Sequence, residues 1–158
     1  MVPSVKIAKL TIGSTEFANK DYLSAKYTCE GENINPPITV ENIPAGTKSL
    51  ALIVDDPDAP DGIFDHWIIW NIRPMEMIIE NTIPGTEGKN SFGKTRYHGP
   101  CPPEGNAHRY FFRVYALDTL LDVRAGADKK TLEKAMHDHI LGQGEIIGMY
   151  KKTKYKNL

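Results

Sequence analysis

Three segments of this sequence end an apolar run on a residue able to bond or carry charge. "SLALIVDD" (49–56) closes on Asp56, "FDHWIIWNI" (64–72) has His66 near its start, and "HRYFFRVYAL" (108–117) opens with His108 and Tyr110. Side chains two apart share one face of a strand. That predicts three rows: Leu50, Leu52, Val54 and Asp56; His66, Ile68, Trp70 and Ile72; His108, Tyr110, Phe112, Val114 and Ala116. Two imidazoles and a phenol offer several hydrogen-bond donors. With one or both histidines charged, they suit a phosphate or carboxylate. Asp56 alone works against an anion, but it can accept an imidazole N–H and hold that ring's tautomer and charge. The same spacing also fits ordinary polar residues at strand ends beside turns.

The elements that carry these residues predict how they meet. "PDAPDG" (57–62) is a turn cluster, so strands 49–56 and 64–72 pair antiparallel across a short connection. Asp56 and His66 then lie at the turn end. If strand 108–117 starts at that end too, Asp56, His66, His108 and Tyr110 converge on one pocket. The stretch before the last strand, "YHGPCPPEGNAHRY" (97–110), holds three prolines. Proline fixes φ and removes a donor, so such a loop loses little entropy on ordering and makes a stiff pocket rim.

The rest of the chain reads as short strands between turn signals. Strands are expected at 5–12, more weakly at 22–29, at 38–43 and at 145–152, with a turn at 44–48. Residues 31–37 form a loop, and the Pro- and Gly-rich 73–107 looks irregular. In "KKTLEKAMHDHILGQG", Leu132, Ala135, Met136, His139 and Ile140 follow helical spacing. Asp128 is the expected N-cap and Gly142 the stop. His139, on the apolar stripe, is expected to pack in the core. The pattern implies one mostly β domain over 1–158, a β-sandwich with a peripheral helix.

Composition narrows the function classes. Net charge is −1, which gives no sign of a dedicated nucleic-acid binder. The lysines of "MYKKTKYKNL" read as a solvated end. No run approaches the ~20 apolar residues of a membrane span, and the N-terminus lacks a secretory h-region. A cytoplasmic protein follows, with Cys29 and Cys101 as thiols. No metal is expected: "HDH" (137–139) diverges on a helix, and Asp56 and Asp58 lack the further oxygens of a calcium site. Trp67 and Trp70 should point to opposite faces of one strand and pack there. An enzyme using a His/Asp pair, or Cys101 near His108, is the less favoured reading. No G-x-S-x-G, P-loop or dinucleotide motif accompanies them.

"DPDAP" (56–60), "DHWIIWNI" (65–72) and "GPCPPEGNAHRYFFRVYALD" (99–118) together resemble the phosphatidylethanolamine-binding protein family, also called Raf-kinase-inhibitor-protein-like. "CEGENINPP" (29–37) and "LEKAMHDHILGQGEIIGMY" (132–150) look like its compact bacterial and archaeal branch. The resemblance implies two antiparallel sheets with Greek-key connections and a small pocket for phosphate, phosphorylated head groups or carboxylates. Its ligand-binding residues would be Asp56, His66, His108 and Tyr110, with Pro60 and Pro103 shaping the wall. Gly99 and Pro100 would set the loop backbone close to the anion, and Asp58 would brace its turn. No cofactor is implied. A protein target, a protease or kinase inhibited by this chain, is the alternative, and a homodimer is left open. The turn from Pro60 to His66 is shorter than in eukaryotic members and lacks their tyrosine, and their C-terminal covering helix is not matched. A more open pocket is therefore expected. A Cys29–Cys101 disulfide is a further hypothesis, because both motifs flank family pocket loops.

Overall fold

The computed structural model describes residues 6–152. Its framework is three long strands, β5 (Ser49–Asp56), β6 (Phe64–Ile72) and β9 (His108–Leu117), where the apolar runs predict them. Before them come β1 (Ala8–Lys9), β2 (Thr11–Gly13), β3 (Asp21–Tyr22) and β4 (Ile38–Glu41). Short strands β7 (Met77–Ile78) and β8 (Thr86–Glu87) lie in the stretch expected to be irregular. Helix α1 (Lys129–Met136) and strand β10 (Ile140–Tyr150) follow β9.

Two sheets form the expected sandwich. The larger runs β1-β10-β9-β5-β6-β8, with β3 also paired to β10, and the smaller runs β2-β4-β7. After the β5–β6 hairpin, the long 73–107 connection returns β9 to the far side of β5, a crossing of Greek-key type. Pairing is antiparallel except that β1 and β3 run parallel to β10 at its edge, a departure from two purely antiparallel sheets.

The single strand expected over 5–12 is split between the two sheets. Leu10 is the corner: it is buried, and its N–H donates to the Gln143 carbonyl at 2.9 Å. Glycine at 144 permits this crossing, since a Cβ there would stand 2.2 Å from the Leu10 carbonyl oxygen. The weaker strand expected at 22–29 is mostly a different structure. Only its first residue belongs to β3, and a 3₁₀ turn (Ala25–Tyr27) follows, capped by Ser24. Residue 5 and the lysine tail from 153 lie outside the described residues.

Burial explains why β5 reads as a continuous apolar run. Leu50, Leu52 and Val54 face the sandwich interior against Ile38, Val40, Phe112 and Val114. Ala51 and Ile53 face the other way, with Ile68 and Trp70, beneath Leu132 and Met136 of α1. Each fully buried aliphatic side chain contributes about 1.5–3 kcal/mol relative to exposure, so a strand covered on both sides anchors the fold.

Asp128 caps α1 as expected, its Oδ1 accepting the Thr131 N–H at 2.9 Å. The stop is not Gly142. The helix ends at Met136, Asp138 turns the chain with φ of 70°, and β10 is already under way at Ile140. His139 therefore leaves the apolar stripe. It sits half-exposed with Nδ1 2.8 Å from Asp118 Oδ1, rather than in the core.

Candidate functional site

A slip in register brings His66 to its place. Val54 pairs with Trp67 but Asp55 pairs with Asp65, so β6 carries one extra residue there. A one-residue slip changes which face each side chain occupies. Trp67 consequently enters the sandwich interior with Ile69, while Ile68 and Trp70 lie under α1. A second slip lies between the Leu52–Ile69 and Leu50–Ile72 pairs, where Asn71 has φ of 55°, and it returns Ile72 to the interior. The expected row His66, Ile68, Trp70, Ile72 does not exist as one face. Trp67 and Trp70 do point to opposite faces and pack there.

The four polar residues nonetheless meet. Asp56, His66, His108 and Tyr110 line one cavity of about 270 Å³, together with Pro60 and Pro103. His108 Nδ1 lies 2.6 Å from Asp56 Oδ2. A carboxylate only accepts, so this nitrogen carries the proton. The other oxygen, Oδ1, accepts the Asp58 N–H at 2.7 Å. Asp58 is itself held by Arg109, whose backbone N–H and Nε donate to Oδ2, both at 2.9 Å, and whose Nη2 donates to Oδ1 at 2.8 Å. The Arg109 guanidinium holds the Asp58 carboxyl below the usual carboxylate range. Asp58 thus braces the turn, as the sequence suggests.

His66 is almost fully buried, and its Nδ1 lies 2.7 Å from the His98 carbonyl oxygen. The carbonyl accepts, so Nδ1–H donates and Nε2 carries the lone pair in the neutral ring. Burial pushes the His66 pKa down, which favours that neutral form. The Tyr110 hydroxyl is buried and has no hydrogen-bond partner among the described residues. Burial first, then the Asp56 charge, push its ionisation far above the ordinary phenol range.

The walls are apolar and partly unforeseen. Phe64 and Phe92 pack at 4.7 Å between ring centroids, and Phe92 lies over His98 at 3.8 Å. Ile63 and Phe92 at the mouth are 58% and 41% exposed. Phe64 sits two residues before His66, so strand parity alone points to it. Phe92 comes from the irregular stretch, which carries no periodic signal.

Gly99 and Pro100 do not line the cavity. The Gly99 N–H donates to Asn33 Oδ1 at 2.7 Å, and the Pro100 carbonyl accepts the Cys29 N–H at 3.1 Å. A Cβ at position 99 would stand 2.0 Å from the Tyr27 carbonyl oxygen. These residues seat the loop on the 27–33 segment instead of presenting backbone to an anion. Cys29 and Cys101 are joined in a disulfide with Cα atoms 5.4 Å apart, which corrects the expectation of two thiols and agrees with the disulfide suggested by the family resemblance. Among the described residues, no group of three metal-ligating side chains is assembled, and no helix is long and apolar enough to cross a membrane.

Comparison with known proteins agrees with this architecture. A family model for phosphatidylethanolamine-binding protein matches residues 13–151. A UPF0098 protein of Pyrococcus abyssi is 49% identical over 88% of this chain and 84% of its own length. The crystal structure of a phosphatidylethanolamine-binding protein homologue from Chlamydia trachomatis superposes with a TM-score of 0.88 at 38% identity, covering 92% of this chain and 99% of that one. E. coli YbcL, whose crystal structure is described as a new member of the mammalian family, gives a TM-score of 0.84 at 29% identity over 92% and 100%. With the match spanning both sheets and every strand that lines the pocket, the chain belongs to the phosphatidylethanolamine-binding protein family.

Proposed function

We propose that this protein is a binding module whose pocket takes a small ligand by an anionic group, a phosphate monoester or a carboxylate. One observation carries the reading: three ring side chains at the same cavity each leave one polar atom with no hydrogen-bond partner among the described residues. His66 and His108 commit Nδ1 to the protein, while the Tyr110 hydroxyl, with the Asp56 carboxylate nearby, meets the geometry of a hydrogen bond with no described residue. Neutral His66 Nε2 accepts, so it favours a ligand oxygen that still bears a proton. His108, oriented by Asp56, donates from Nε2 when charged, and Tyr110 donates its hydroxyl. A hydrogen-phosphate group supplies both kinds of partner. The apolar mouth of Ile63, Phe64 and Phe92 suits an apolar or aromatic remainder on the ligand.

Binding is favoured over catalysis on chemical grounds. The Asp56–His108 pair has the geometry of an oriented base, but acyl or phosphoryl transfer also needs a nucleophile and a site for the developing charge. Cys101 is the nearest thiol candidate, and its sulfur is spent in the disulfide. That bond also bears on location. It suits an oxidising compartment or a hyperthermophile's interior, so a cytoplasmic protein in this reading is one of the latter kind.

The test is a titration with inorganic phosphate, following the His66 and His108 ring resonances by NMR. Saturable shifts in both rings are expected at millimolar phosphate. Unmoved rings throughout would remove the anion from this site.

A further inference from the structure

The cavity wall that carries Cys101 is tethered very unevenly. Up to residue 100 the segment is bonded to the body: the Tyr97 hydroxyl donates to the Tyr27 carbonyl at 2.7 Å, beside the Gly99 and Pro100 bonds described above. From residue 109 it is anchored again, by Arg109 on Asp58. Between them runs "PPEGNA" (102–107), for which no hydrogen bond to any described residue is formed. Its two prolines have no N–H to give; Pro102 is buried, while Pro103, Glu104, Gly105 and Asn106 are exposed. The Cys29–Cys101 bond is the last tether before β9. Cys101 is exposed and lines the cavity, while Cys29 is half-buried.

We propose that this disulfide is a thiol-exchange site that latches the pocket rim, opened by a small thiol arriving at the cavity mouth. The thiolate attacks the exposed Sγ of Cys101, forming a mixed disulfide as the Cys29–Cys101 bond breaks. The electron pair leaves on Cys29 Sγ, which takes a proton from solvent. A second thiol molecule releases Cys101 as a thiol. The protein gains two electrons and two protons, and the two small thiols leave as their own disulfide. With the latch open, residues 103–107 run without a hydrogen bond to any described residue from buried Pro102 to β9, and Pro103 no longer forms a fixed wall. Ligand affinity then falls. That consequence, though not the release of the rim, rests on the anion-pocket reading. Linkage makes the effect reciprocal: a ligand that prefers the latched form stabilises the disulfide by the same factor, tenfold corresponding to about 30 mV.

The experiment compares oxidised protein, protein reduced with dithiothreitol (two alkylatable thiols by mass) and the Cys29→Ser/Cys101→Ser variant. The first readout is cleavage after Glu104 by a glutamyl endopeptidase, with cleavage after exposed Glu76 as the reference for general loosening. The second is the phosphate titration. Reduction and the double substitution are expected to speed cleavage at Glu104 about tenfold over the change at Glu76, and to weaken phosphate about three- to tenfold. Unchanged cleavage at Glu104, or equal acceleration at Glu76, overturns the latch. So does faster Glu104 cleavage with phosphate affinity equal in all three forms. If no form binds phosphate, the anion reading fails, and selective Glu104 cleavage still supports the latch.

Discussion

Tyr110→Phe should move stability and binding in opposite directions. The hydroxyl is buried and unpartnered, and the nearby Asp56 already accepts from His108 at 2.6 Å and from the Asp58 N–H at 2.7 Å. A buried polar group without a partner costs about 1–3 kcal/mol. Removing the oxygen leaves the ring packed against His66, 5.3 Å between centroids. The variant is therefore expected to gain about 1 kcal/mol, a rise in Tm of about 2–4 °C for a domain of this length. Binding should go the other way. A hydrogen bond to a charged group contributes about 1.5–3 kcal/mol, so phosphate affinity falls about 10- to 150-fold.

Urea unfolding without phosphate, and calorimetric or NMR titration with it, measure the two quantities separately. The phosphate must be left out of the first experiment, because a ligand that binds only the folded state raises the unfolding free energy by itself. A loss of more than about 1 kcal/mol in the variant would mean the hydroxyl already has a protein acceptor, Asp56 being the nearest charge. Unchanged phosphate affinity would mean that the hydroxyl is not a ligand donor. Either result refutes the reasoning, each at a different step.

Two further outcomes follow from charges around the same cavity. Burial lowers the His66 pKa in the folded state, so the unfolded chain binds the proton more readily. The contribution of His66 to stability is fully present above its unfolded pKa of about 6.5 and is lost as pH falls below it, by up to about 1.4 kcal/mol per pH unit. Urea unfolding between about pH 7.5 and about pH 5 should show this slope, and His66→Asn should flatten it; an identical slope in the variant would exclude His66 as the source. Arg109→Ala tests whether the cation beside the pocket braces or binds. Its pair with Asp58 is partly exposed and screened by solvent, so only a small loss of stability is expected, with phosphate affinity changed less than about twofold. An affinity loss as large as that of Tyr110→Phe would place the guanidinium on the anion.

What the sequence could show depended on how local each signal was. The long strands were legible because their burial leaves an unbroken apolar record: β5 is covered on both faces, so every position from Ser49 to Asp56 is buried. The Asp128 cap was legible because it involves a bond only three residues long. The helix stop was not, because Asp138 takes a left-handed φ that nothing before it demands, whereas Gly142 is needed for an unrelated approach to Leu10 and Pro44. The disulfide joins cysteines 72 residues apart, so no local pattern pairs them and only the resemblance of their flanking motifs to the family's pocket loops pointed to the bond. Phe92 reaches the cavity, with His98 packed behind it, from a loop whose path is set by scattered bonds, such as those of the Asn90 side chain to Arg96, Phe92 and Lys94.

The end of a strand is a more robust feature of the sequence than the face of a side chain. Reading faces by alternation put His66 with Ile68 and Trp70, and the register slip beside Trp67 makes that wrong. Reading strand ends put Asp56, His66, His108 and Tyr110 at one end of one sheet, and that needs only the order β6-β5-β9 and antiparallel pairing. An extra residue changes the face of a side chain but moves it little along the strand. Which end of the sheet a residue occupies therefore survives errors that reverse its face. For β6 the slip is what reconciles two demands: Trp67 and Ile69 fill the sandwich interior, while His66, one residue before Trp67, still reaches the same side as Asp56 and Tyr110. Without the extra residue, a strand that buried Trp67 inward would turn His66 away from the cavity.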